Sequence, residues 1–526
     1  MAEHWSEEIV KKVVERFSQQ RVYTCASGIS PSGRVHAGNF RDLITSDAVY
    51  RSFVTGGYNA RFILSWDDFD RFRKVPSNVP ESFREHLGKP LSDVPDPLGE
   101  YKSYGERFAV EFEASLRTLG IIPEILHQSA EYRSGRYESL IRDALLQRQK
   151  IAKVLSRFKT NKMTPQEMEG YYPVNIYSRF TGKDNTKVLD FDGENVVKYI
   201  CKDTGKVDEI DFTRDRNIKL PWKVDWPMRW KAEGVSFEPG GRDHASFGGS
   251  YDVSSAIARE VLGIMPPFFQ GYDFIGMRGL KGKMSSSTGN VITTQELLEI
   301  YEPALVRWLY LKFKPEQAFD FAFDSDVFRI YGEFDRTVEK LLSGKIDKEA
   351  AALLELSRPY VESSFSRKPI PFRQLAGYAQ VVQFDRSKLE MLLREVGEEY
   401  DSRSLDSRLP RVKKWLENYN PEDRIKLRDE PDKEYLTSLP KSERAQLDSL
   451  RTILESGKEI PLAELEGAVY AIPKDVRLSD LENKKRQRDF FKMVYKALLG
   501  RETGPRLPTF LWAGEKSKII KLLKNN

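Results

Sequence analysis

A short stretch near the N-terminus, Ser30 to Asn39 (SPSGRVHAGN), places the strongest restriction on what this chain can fold into. The apolar run 22–26 precedes it and is typical of a buried strand. After it, apolar side chains recur about every three or four residues, as on one face of a helix. The stretch is therefore a strand-to-helix turn, and units of this kind predict helices packed on a parallel sheet.

The turn is suited to binding phosphate. Unpaired N–H groups at a helix start carry partial positive charge, and His36 and Asn39 add side-chain donors at the same place. Pro31 and the glycines Gly28, Gly33 and Gly38 tighten the turn and let a ligand approach the backbone closely. By itself the turn fits a triphosphate site and an ordinary helix start with a surface histidine equally well.

A second segment suited to phosphate follows about 240 residues later. Residues 281–290 (KGKMSSSTGN) are rich in Lys, Ser and Gly and come after the apolar runs 267–269 and 272–275. Such a loop can bring an ammonium group and several hydroxyls onto phosphate oxygens as charge develops. The two segments together favour a site for the triphosphate of ATP.

Both segments resemble known signatures. His36-Ala37-Gly38-Asn39 resembles the HIGH signature of class I aminoacyl-tRNA synthetases, and Lys283-Met284-Ser285-Ser286-Ser287 resembles their KMSKS signature. The serine-rich second signature and its surroundings are most similar to the class I lysyl-tRNA synthetases, nearly over the whole chain. This resemblance implies ATP-dependent ligation of L-lysine to tRNA(Lys) through a lysyl-adenylate, as a step in protein translation.

The resemblance also implies roles for individual residues. The residues expected in catalysis are His36, Asn39, Lys283, Ser285, Ser286 and Ser287. Those expected to bind ATP are Pro31, Ser32, Gly33, Gly38, Asp243, His244, Gly248, Lys281 and Met284. Those expected to bind the amino acid are Gly28, Ser30, Asp67, Asp68, Trp222 and Tyr272. Ser286 replaces the second lysine of KMSKS, so the cationic role falls on Lys283, assisted by Lys281.

The predicted contacts of the amino acid lie at the ends of further elements. Asp67 and Asp68 follow the apolar run 61–66, and the carboxyl end of a parallel strand is where α/β sheets bind ligands. Trp222 belongs to a tryptophan cluster that fits core packing as well as a wall of the amino-acid pocket.

A second Gly-rich turn, residues 240–251, leads into another predicted helix. In the family the matching turn holds the adenosine of ATP. Gly248 would let the base or ribose approach closely, and Asp243 and His244 would supply polar contacts. The alternative role for His244 is to cap the turn.

The segment 160–222 interrupts the α/β pattern as an insert. Residues 178–182 and 201–205 have the spacing of a paired C-x-x-C-G motif, which is typical of a zinc ribbon. Of the four ligand positions, only Cys201 is a cysteine, and one thiolate with hydroxyls does not hold Zn²⁺ tightly. No zinc is therefore expected, and Mg²⁺ is expected only as the companion of ATP.

The sequence predicts a Rossmann-type, doubly wound parallel sheet with this insert, followed by an all-α C-terminal domain. The expected divisions are a catalytic domain at 1–290, a stem-contact and linking segment at 291–345, and an α-helical anticodon-binding domain at 346–526. No strand is predicted with assurance after 294.

Bulk properties restrict the class of protein. With 40% hydrophobic and 31% charged residues, the chain is typical of a globular protein of several domains. It has no apolar run of about 18 residues, so no membrane span is expected, and its two cysteines favour the reducing cytoplasm. Residues 481–526 contain twelve Lys or Arg against four acids, so they form either a contact for tRNA phosphates or a solvated face.

Three alternatives stay open at this stage. Glutamyl-tRNA synthetases have a similar first turn, but they begin it with an arginine where this chain has Ala26. A small-molecule nucleotidyltransferase of the same fold would share the phosphate-binding turns without needing the long helical C-terminal part. The third alternative is a non-catalytic relative that binds tRNA. The oligomeric state is not determined by the sequence, and a monomer is one option.

Overall fold

The computed structural model describes residues 3–77, 79–278, 292–360, 362, 364–456 and 460–524. Twelve strands lie in these residues: β1 (Tyr23–Ile29), β2 (Ala60–Trp66), β3 (Glu124–His127), β4 (Asn175–Ile176), β5 (Thr186–Phe191), β6 (Val196–Cys201), β7 (Val207–Asp211), β8 (Ile218–Lys219), β9 (Val235–Gly241), β10 (Phe268–Tyr272), β11 (Ile275–Met277) and β12 (Phe319–Phe321).

The described residues also form 23 α-helices. They are α1 (Trp5–Arg16), α2 (Ala37–Thr55), α3 (Tyr104–Thr118), α4 (Gln128–Ser134), α5 (Glu138–Leu146), α6 (Arg148–Phe158), α7 (Pro165–Glu169), α8 (Trp222–Glu233), α9 (Arg242–Ala245), α10 (Ser250–Glu260), α11 (Thr294–Ile300), α12 (Pro303–Leu311), α13 (Asp326–Leu342), α14 (Lys348–Ser357), α15 (Phe372–Val381), α16 (Arg386–Glu395), α17 (Ser402–Asn418), α18 (Lys433–Ser438), α19 (Lys441–Glu455), α20 (Leu462–Ala471), α21 (Asp480–Leu499), α22 (Leu507–Ala513) and α23 (Lys516–Leu522). None of the helices in the described part of the chain is long and apolar enough to cross a membrane.

Five strands form one parallel sheet in the order β10-β9-β1-β2-β3. β2 is buried continuously from Phe62 to Trp66, as expected for a parallel strand that is covered on both faces. Helices do cover both faces. On one face the Ser27 hydroxyl of β1 donates to the Ser46 hydroxyl of α2, at 2.9 Å. On the other, Ala26 packs with Trp226 of α8 and Ala258 of α10. The predicted doubly wound α/β fold is confirmed.

The order of the strands places a switch point between β1 and β9. The chain runs from β1 outward to β2 and β3, and then returns to the opposite side of β1 to form β9 and β10. β1 pairs with β9 at Thr24 and Cys25, and β9 pairs with β10 as far as Gly241 and Tyr272. Doubly wound sheets bind ligands at the carboxyl ends of the strands beside such a switch.

The insert between α6 and α8 is built mainly from antiparallel strands. β5, β6 and β7 form a three-stranded sheet, and β4 pairs with β8. The buried side chains of Val197, Tyr199 and Ile210 pack in the same hydrophobic cluster as Ile176 and Ile218. The insert is therefore a folded element with packed, buried side chains, and it is not an irregular loop.

The chain divides into two compact units, and the division falls three times along the sequence. Unit 1 comprises residues 1–322 and 340–365, and unit 2 comprises residues 323–339 and 366–526. Unit 2 is helical in its described residues, with apolar side chains from α18 to α23 clustered in its core. The assignment of a catalytic, a stem-contact and an anticodon-binding role to successive stretches stays a prediction.

Two local expectations differ from the structure. β12 is a strand of three residues that pairs in parallel with β11, and a run this short shows no detectable periodicity. The apolar spacing over residues 137–155 favours one helix, but the structure has two, α5 and α6, because the helical geometry is interrupted at Gln147.

Candidate active site

The first predicted signature forms the N-terminus of α2, immediately after the carboxyl end of β1. His36 is the N-cap residue, and its Nδ1 accepts a hydrogen bond from the Asn39 N–H, at 3.2 Å. This acceptor role places the proton of a neutral imidazole on Nε2. Asn39 and Gly38 are half-buried at the same helix start, whose N–H groups and dipole favour an anion. His36, Gly38 and Asn39 therefore lie together at the start of α2, and their contact with phosphate stays a prediction.

Gly38 is required by the position of the His36 ring. A Cβ built on Gly38 would lie 2.8 Å from His36 Cε1 and 2.9 Å from Nδ1, which is closer than such atoms approach in proteins. Any larger residue at position 38 must therefore displace the imidazole. This explains in physical terms why glycine stands between the histidine and Asn39.

Gly38→Ala is expected to reduce adenylate formation by roughly 100-fold, about the effect of losing one donor to the transition state. The helix itself should not suffer, because alanine favours helix over glycine. Pyrophosphate exchange measures the effect. Gly467→Ala in α20 is the matched control, since no described atom outside its chain neighbours and its own helix backbone lies within 4 Å of the added Cβ. The control should be about 0.5–1 kcal/mol more stable and fully active, and equal activity of the two variants would contradict the role of Gly38.

The rest of this turn lies as predicted around the helix start. Pro31 is buried and Ser32 is exposed, with its carbonyl oxygen accepting from the Tyr104 hydroxyl at 3.0 Å. Gly33 is buried and Ser30 is exposed. Gly28 is the only exposed residue of β1, and in the described residues no atom beyond its chain neighbours lies within 4 Å of the Cβ it lacks. There is consequently open space in front of Gly28 at the carboxyl end of the strand.

The residues of the second predicted signature lie outside the described residues: Lys281, Lys283, Met284, Ser285, Ser286 and Ser287. The described chain resumes at Ile292, beside the first signature. The Ala37 N–H donates to the Ile292 carbonyl oxygen at 2.8 Å, and His36 forms an isolated antiparallel bridge with Thr293. Thr293 in turn caps α11 through a capping box with Glu296. The first described residues after the second signature therefore lie next to the first signature.

The second Gly-rich turn lies at the carboxyl end of β9. His244 is half-buried, with its ring 6.2 Å from that of Trp222 and 5.7 Å from that of Trp226. Burial lowers the pKa of His244, so its ring is neutral near pH 7. Asp243 is exposed. Gly248 has a φ of +73°, which favours glycine, and its N–H donates to Asp252 Oδ2 at 2.8 Å.

The tryptophans of α8 divide between core and site. Trp226 and Trp230 are buried in the sheet core. Trp222 is half-buried and stacks on Trp226, with ring centroids 4.9 Å apart. Of these three tryptophans only Trp222 keeps an accessible surface, and its place in the wall of the amino-acid pocket stays a prediction.

The acids after β2 are held by protein partners. Asp67 pairs with Arg229 of α8, at 2.5 Å. Asp68 accepts hydrogen bonds from the N–H and the hydroxyl of Ser129, at 2.7 and 2.8 Å, and lies 3.0 Å from the His127 ring. These contacts tie the end of β2 to the elements around it. The predicted contact of Asp67 and Asp68 with the amino acid stays a prediction.

Two buried acids near the switch point did not emerge from the sequence. Glu238 of β9 accepts a hydrogen bond from Trp230 Nε1, at 2.6 Å, and burial raises its pKa to about 7. Asp42 lies in α2, one turn after Gly38, and is buried. The sequence does carry a signal for Asp42, because this acid lies close to the apolar residues Phe40 and Leu43. The helix that contains it is buried almost throughout.

The raised pKa of Glu238 predicts that the stability of the fold depends on pH. An unfolded glutamate ionises near pH 4.5, whereas folding raises the pKa of Glu238 to about 7 and so favours its protonated form. The stabilising contribution of the protonated carboxyl is therefore fully present below pH 4.5 and is lost as the pH rises through about 7. Between pH 5 and 8, the wild type should lose about 2.5 kcal/mol of unfolding free energy relative to Glu238→Gln. Glutamine still accepts from Trp230. Urea unfolding at several pH values measures the difference, and parallel pH profiles would contradict it.

The paired turns of the insert keep the geometry of a metal-binding ribbon. The Gly182 N–H donates to the Ser178 carbonyl oxygen at 2.7 Å, and the Gly205 N–H donates to the Cys201 carbonyl oxygen at 2.8 Å. Both glycines are left-handed, with φ near +70°. Burial alone would raise the pKa of the Cys201 thiol, but hydrogen bonds from the hydroxyls of Ser178 and Thr204 and from the N–H groups of Asp203 and Thr204 outweigh it and lower this pKa to about 7. Hydroxyl groups thus stand where a zinc ribbon has thiolates.

We therefore expect well under one zinc per chain, because hydroxyls are poor ligands for Zn²⁺. In the described residues, no group of three or more His, Cys, Asp or Glu is placed to hold a metal. A triple variant, Ser178→Cys, Thr181→Cys and Thr204→Cys, should gain about one zinc per chain. Elemental analysis after mild chelation tests both statements, and one resistant zinc in the wild type would contradict the first.

Comparison with known proteins agrees with this geometry. The family model described as "tRNA synthetases class I (K)" matches residues 3–364. A protein of Borrelia garinii subsp. bavariensis named "Lysine--tRNA ligase" is 37% identical over 526 residues, which cover 97% of this chain and 96% of that protein. A protein of Pyrococcus horikoshii with the same name is 35% identical over 539 residues and 99% of each chain.

Among solved structures, a glutamate tRNA ligase from Elizabethkingia meningosepticum aligns over 96% of this chain and 98% of its own. Its sequence identity is 12% and its TM-score is 0.47. The family assignment rests on the sequences, since the family model matches well over half of the chain and relatives above 30% identity match nearly all of it. This chain belongs to the class I tRNA synthetases (K).

Proposed function

We propose that this chain ligates L-lysine to tRNA(Lys) with ATP, through a lysyl-adenylate, in protein translation. The observation that carries the proposal is the contact between the first signature and the described residues that follow the second. His36 caps the phosphate-binding turn, and the chain that leaves the second signature returns at Ile292 and Thr293 against it. Relatives that are similar over their full length are named for the same activity.

In the proposed first step, the carboxylate of lysine attacks the α-phosphate of ATP, forming a P–O bond as pyrophosphate leaves. His36 and Asn39 hold the triphosphate at the start of α2. Lys283, Ser285 and Ser287 contact the β- and γ-phosphates, where a cation stabilises the charge that develops on the leaving group. Mg²⁺ accompanies the phosphates as part of the ATP complex.

The adenosine is proposed to lie along the second Gly-rich turn. Gly248 gives the base or ribose room, and Asp243 and His244 face it with polar groups. Support comes from the placement of this turn at the carboxyl end of β9, beside the switch point of the sheet. In the second step, the 2′-hydroxyl of the terminal adenosine of tRNA takes the lysyl group.

The charges near β1 favour lysine over glutamate as the amino acid. A side-chain carboxylate would need a cation, but the buried Arg229 guanidinium is already shared by Asp67 and Asp225. The arginine of glutamate enzymes is replaced by Ala26, which is buried against Trp226. Ala26→Arg would therefore disturb the sheet core before it could change specificity. A competition between amino acids in the wild type is the cleaner test.

Unit 2 is proposed to bind the tRNA, including its anticodon. One cavity in this unit has a volume of about 610 Å³ and is lined by Lys388, Arg394 and Lys516 together with Trp512. Cations beside an accessible indole suit a stacked, unpaired nucleotide with its phosphates. Some of the basic residues near the C-terminus have other roles, since Lys521 pairs with Glu430 at 2.7 Å.

Pyrophosphate exchange with each amino acid, with and without total tRNA, tests the proposal. Lysine should support exchange and should then be found on tRNA. If only glutamate supported exchange, the substrate would be glutamate and not lysine, and the family assignment would stand. Nucleotidyl transfer to a small molecule with no charging of tRNA would favour the nucleotidyltransferase alternative, and tRNA binding without exchange would favour a non-catalytic relative.

A further inference from the structure

A cluster of charged side chains lies where the insert meets the carboxyl edge of the parallel sheet. Its members are Asp67 and Asp70, which follow β2, Asp225 and Arg229 of α8, and Lys219 of β8 in the insert. Asp70 is half-buried and the other four residues are buried. Three separate parts of the chain therefore place their charges together in a region that is shielded from water.

Each cation of this cluster is shared between two acids. The Lys219 ammonium pairs with Asp70 and lies 3.8 Å from Asp225. The Arg229 guanidinium pairs with Asp67 at 2.5 Å and also with Asp225. Three carboxylates thus share two cations, and the cluster has one negative charge in excess. Because buried carboxylates stay ionised only beside cations, neither cation can be spared.

The cluster lies next to two of the residues that are predicted to bind the amino acid. Asp67 is one of them. Trp222 is the other, and the centre of its ring lies 5.7 Å from the Arg229 guanidinium. β8 ends at Lys219 and α8 begins three residues later with Trp222. The insert therefore supplies a buried cation to the structure that supports this side of the site.

We propose that Lys219 is a positioning residue, which balances Asp70 and Asp225 and so leaves the Arg229 guanidinium on an ionised Asp67. This inference rests on the proposed function and makes the insert part of the structure that prepares the site for the amino acid. Without Lys219, Arg229 would be the one cation left in the cluster, and two negative charges would be in excess. Asp67 would then take up a proton more readily, and a protonated carboxyl attracts an ammonium group only weakly.

The direction of this effect follows from the groups around Asp67. Burial raises the pKa of its carboxyl, and the charge of Asp70 raises it further, whereas Arg229 and Lys219 lower it. The charged and titratable groups that face Asp67 or its partners are Arg229 and Asp225 of α8, Lys219 of β8, Glu238 of β9, Tyr132 of α4, Asp70, and the exposed Arg73 at 3.9 Å from Asp70. Removing the charge of Lys219 therefore raises the pKa of Asp67, and removing the charge of Asp70 lowers it.

Lys219→Met tests the inference, because it keeps most of the length of the side chain and removes its charge. The measured quantity is kcat/KM for lysine in aminoacylation at saturating ATP and tRNA, followed over a range of pH. The acidic limb of this profile should move up by about one pH unit, so kcat/KM falls roughly 10-fold on that limb and recovers at higher pH. The KM for ATP should change little, since the phosphates are bound at the start of α2.

Asp70→Asn should move the acidic limb in the opposite direction, to lower pH. It removes a negative charge beside Asp67 and leaves Lys219 to Asp225. Both variants break the same ion pair, so a purely structural role of the pair would not produce shifts of opposite sign. Lys198→Met in β6 is the matched control within the insert, because its ammonium pairs with Glu209 at 3.4 Å on an exposed surface. The control should have the pH profile of the wild type.

Two outcomes separate the inference from the proposed function. If the wild type charges tRNA with lysine and a folded Lys219→Met keeps the pH profile of the wild type, the inference is wrong. If the wild type does not use lysine at all, the proposed function is wrong. Should Lys219→Met fail to fold, Asp70→Asn provides the second test, and an acidic limb that stays in place or moves to higher pH would then overturn the inference.

Discussion

Lys283→Ala is expected to slow adenylate formation by at least roughly 100-fold, about the effect of one donor to the transition state. The affinity for ATP should change far less, because the ammonium meets the leaving phosphates mainly as charge develops on them. Single-turnover adenylate formation and equilibrium ATP binding measure the two quantities separately. Ser286 stands where the signature has its second lysine, so no cation at that position can compensate.

Lys281→Ala serves as the control for this prediction. It removes the same charge from the same segment but outside the KMSKS-like signature, so its effect should be clearly smaller. An adenylate rate near that of the wild type in Lys283→Ala would mean that this segment is not the catalytic one. An equal loss in both variants would assign the effect to the overall charge of the segment.

A chain ending at Phe365 is expected to lose aminoacylation below detection while unit 1 stays folded. This truncation removes most of unit 2, including the cavity lined by Trp512, so the proposed contacts with tRNA are lost. Circular dichroism and ATP binding would show that unit 1 remains folded, and tRNA charging measures the activity. Normal charging by the truncated chain would contradict the role proposed for unit 2.

The position of the cut follows from the contacts of α14. The buried Arg307 donates to the Leu356 carbonyl oxygen at 2.6 Å, and Arg51 donates to that of Arg358 at 2.7 Å. A chain ending at 345, the border expected from sequence, would remove these carbonyl acceptors from two buried guanidinium groups, at a cost of about 1–3 kcal/mol for each unsatisfied donor. The chain ending at 345 should therefore melt well below the chain ending at 365. Equal melting temperatures would show that α14 is dispensable for unit 1.

The sequence did not predict that the first unit extends from residue 345 to residue 365. Glycine and proline punctuation, helix caps and apolar periodicity act over a few residues, so they predicted the turn at His36, the parallel sheet and the paired turns of the insert. The assignment of α14 to unit 1 depends on Arg307, which is 49 residues away from Leu356 in the chain. No local pattern carries that information.

The sequence by itself determined the family, the two signature segments and the doubly wound fold, because each follows from residue types at short, fixed spacings. Only the tertiary structure decided which buried charges have partners. Asp67 is paired with Arg229, 162 residues further along the chain, whereas Asp42 has no cation in the described residues. Pairing of this kind depends on which elements the sheet topology brings together, and that is settled by packing across the whole unit.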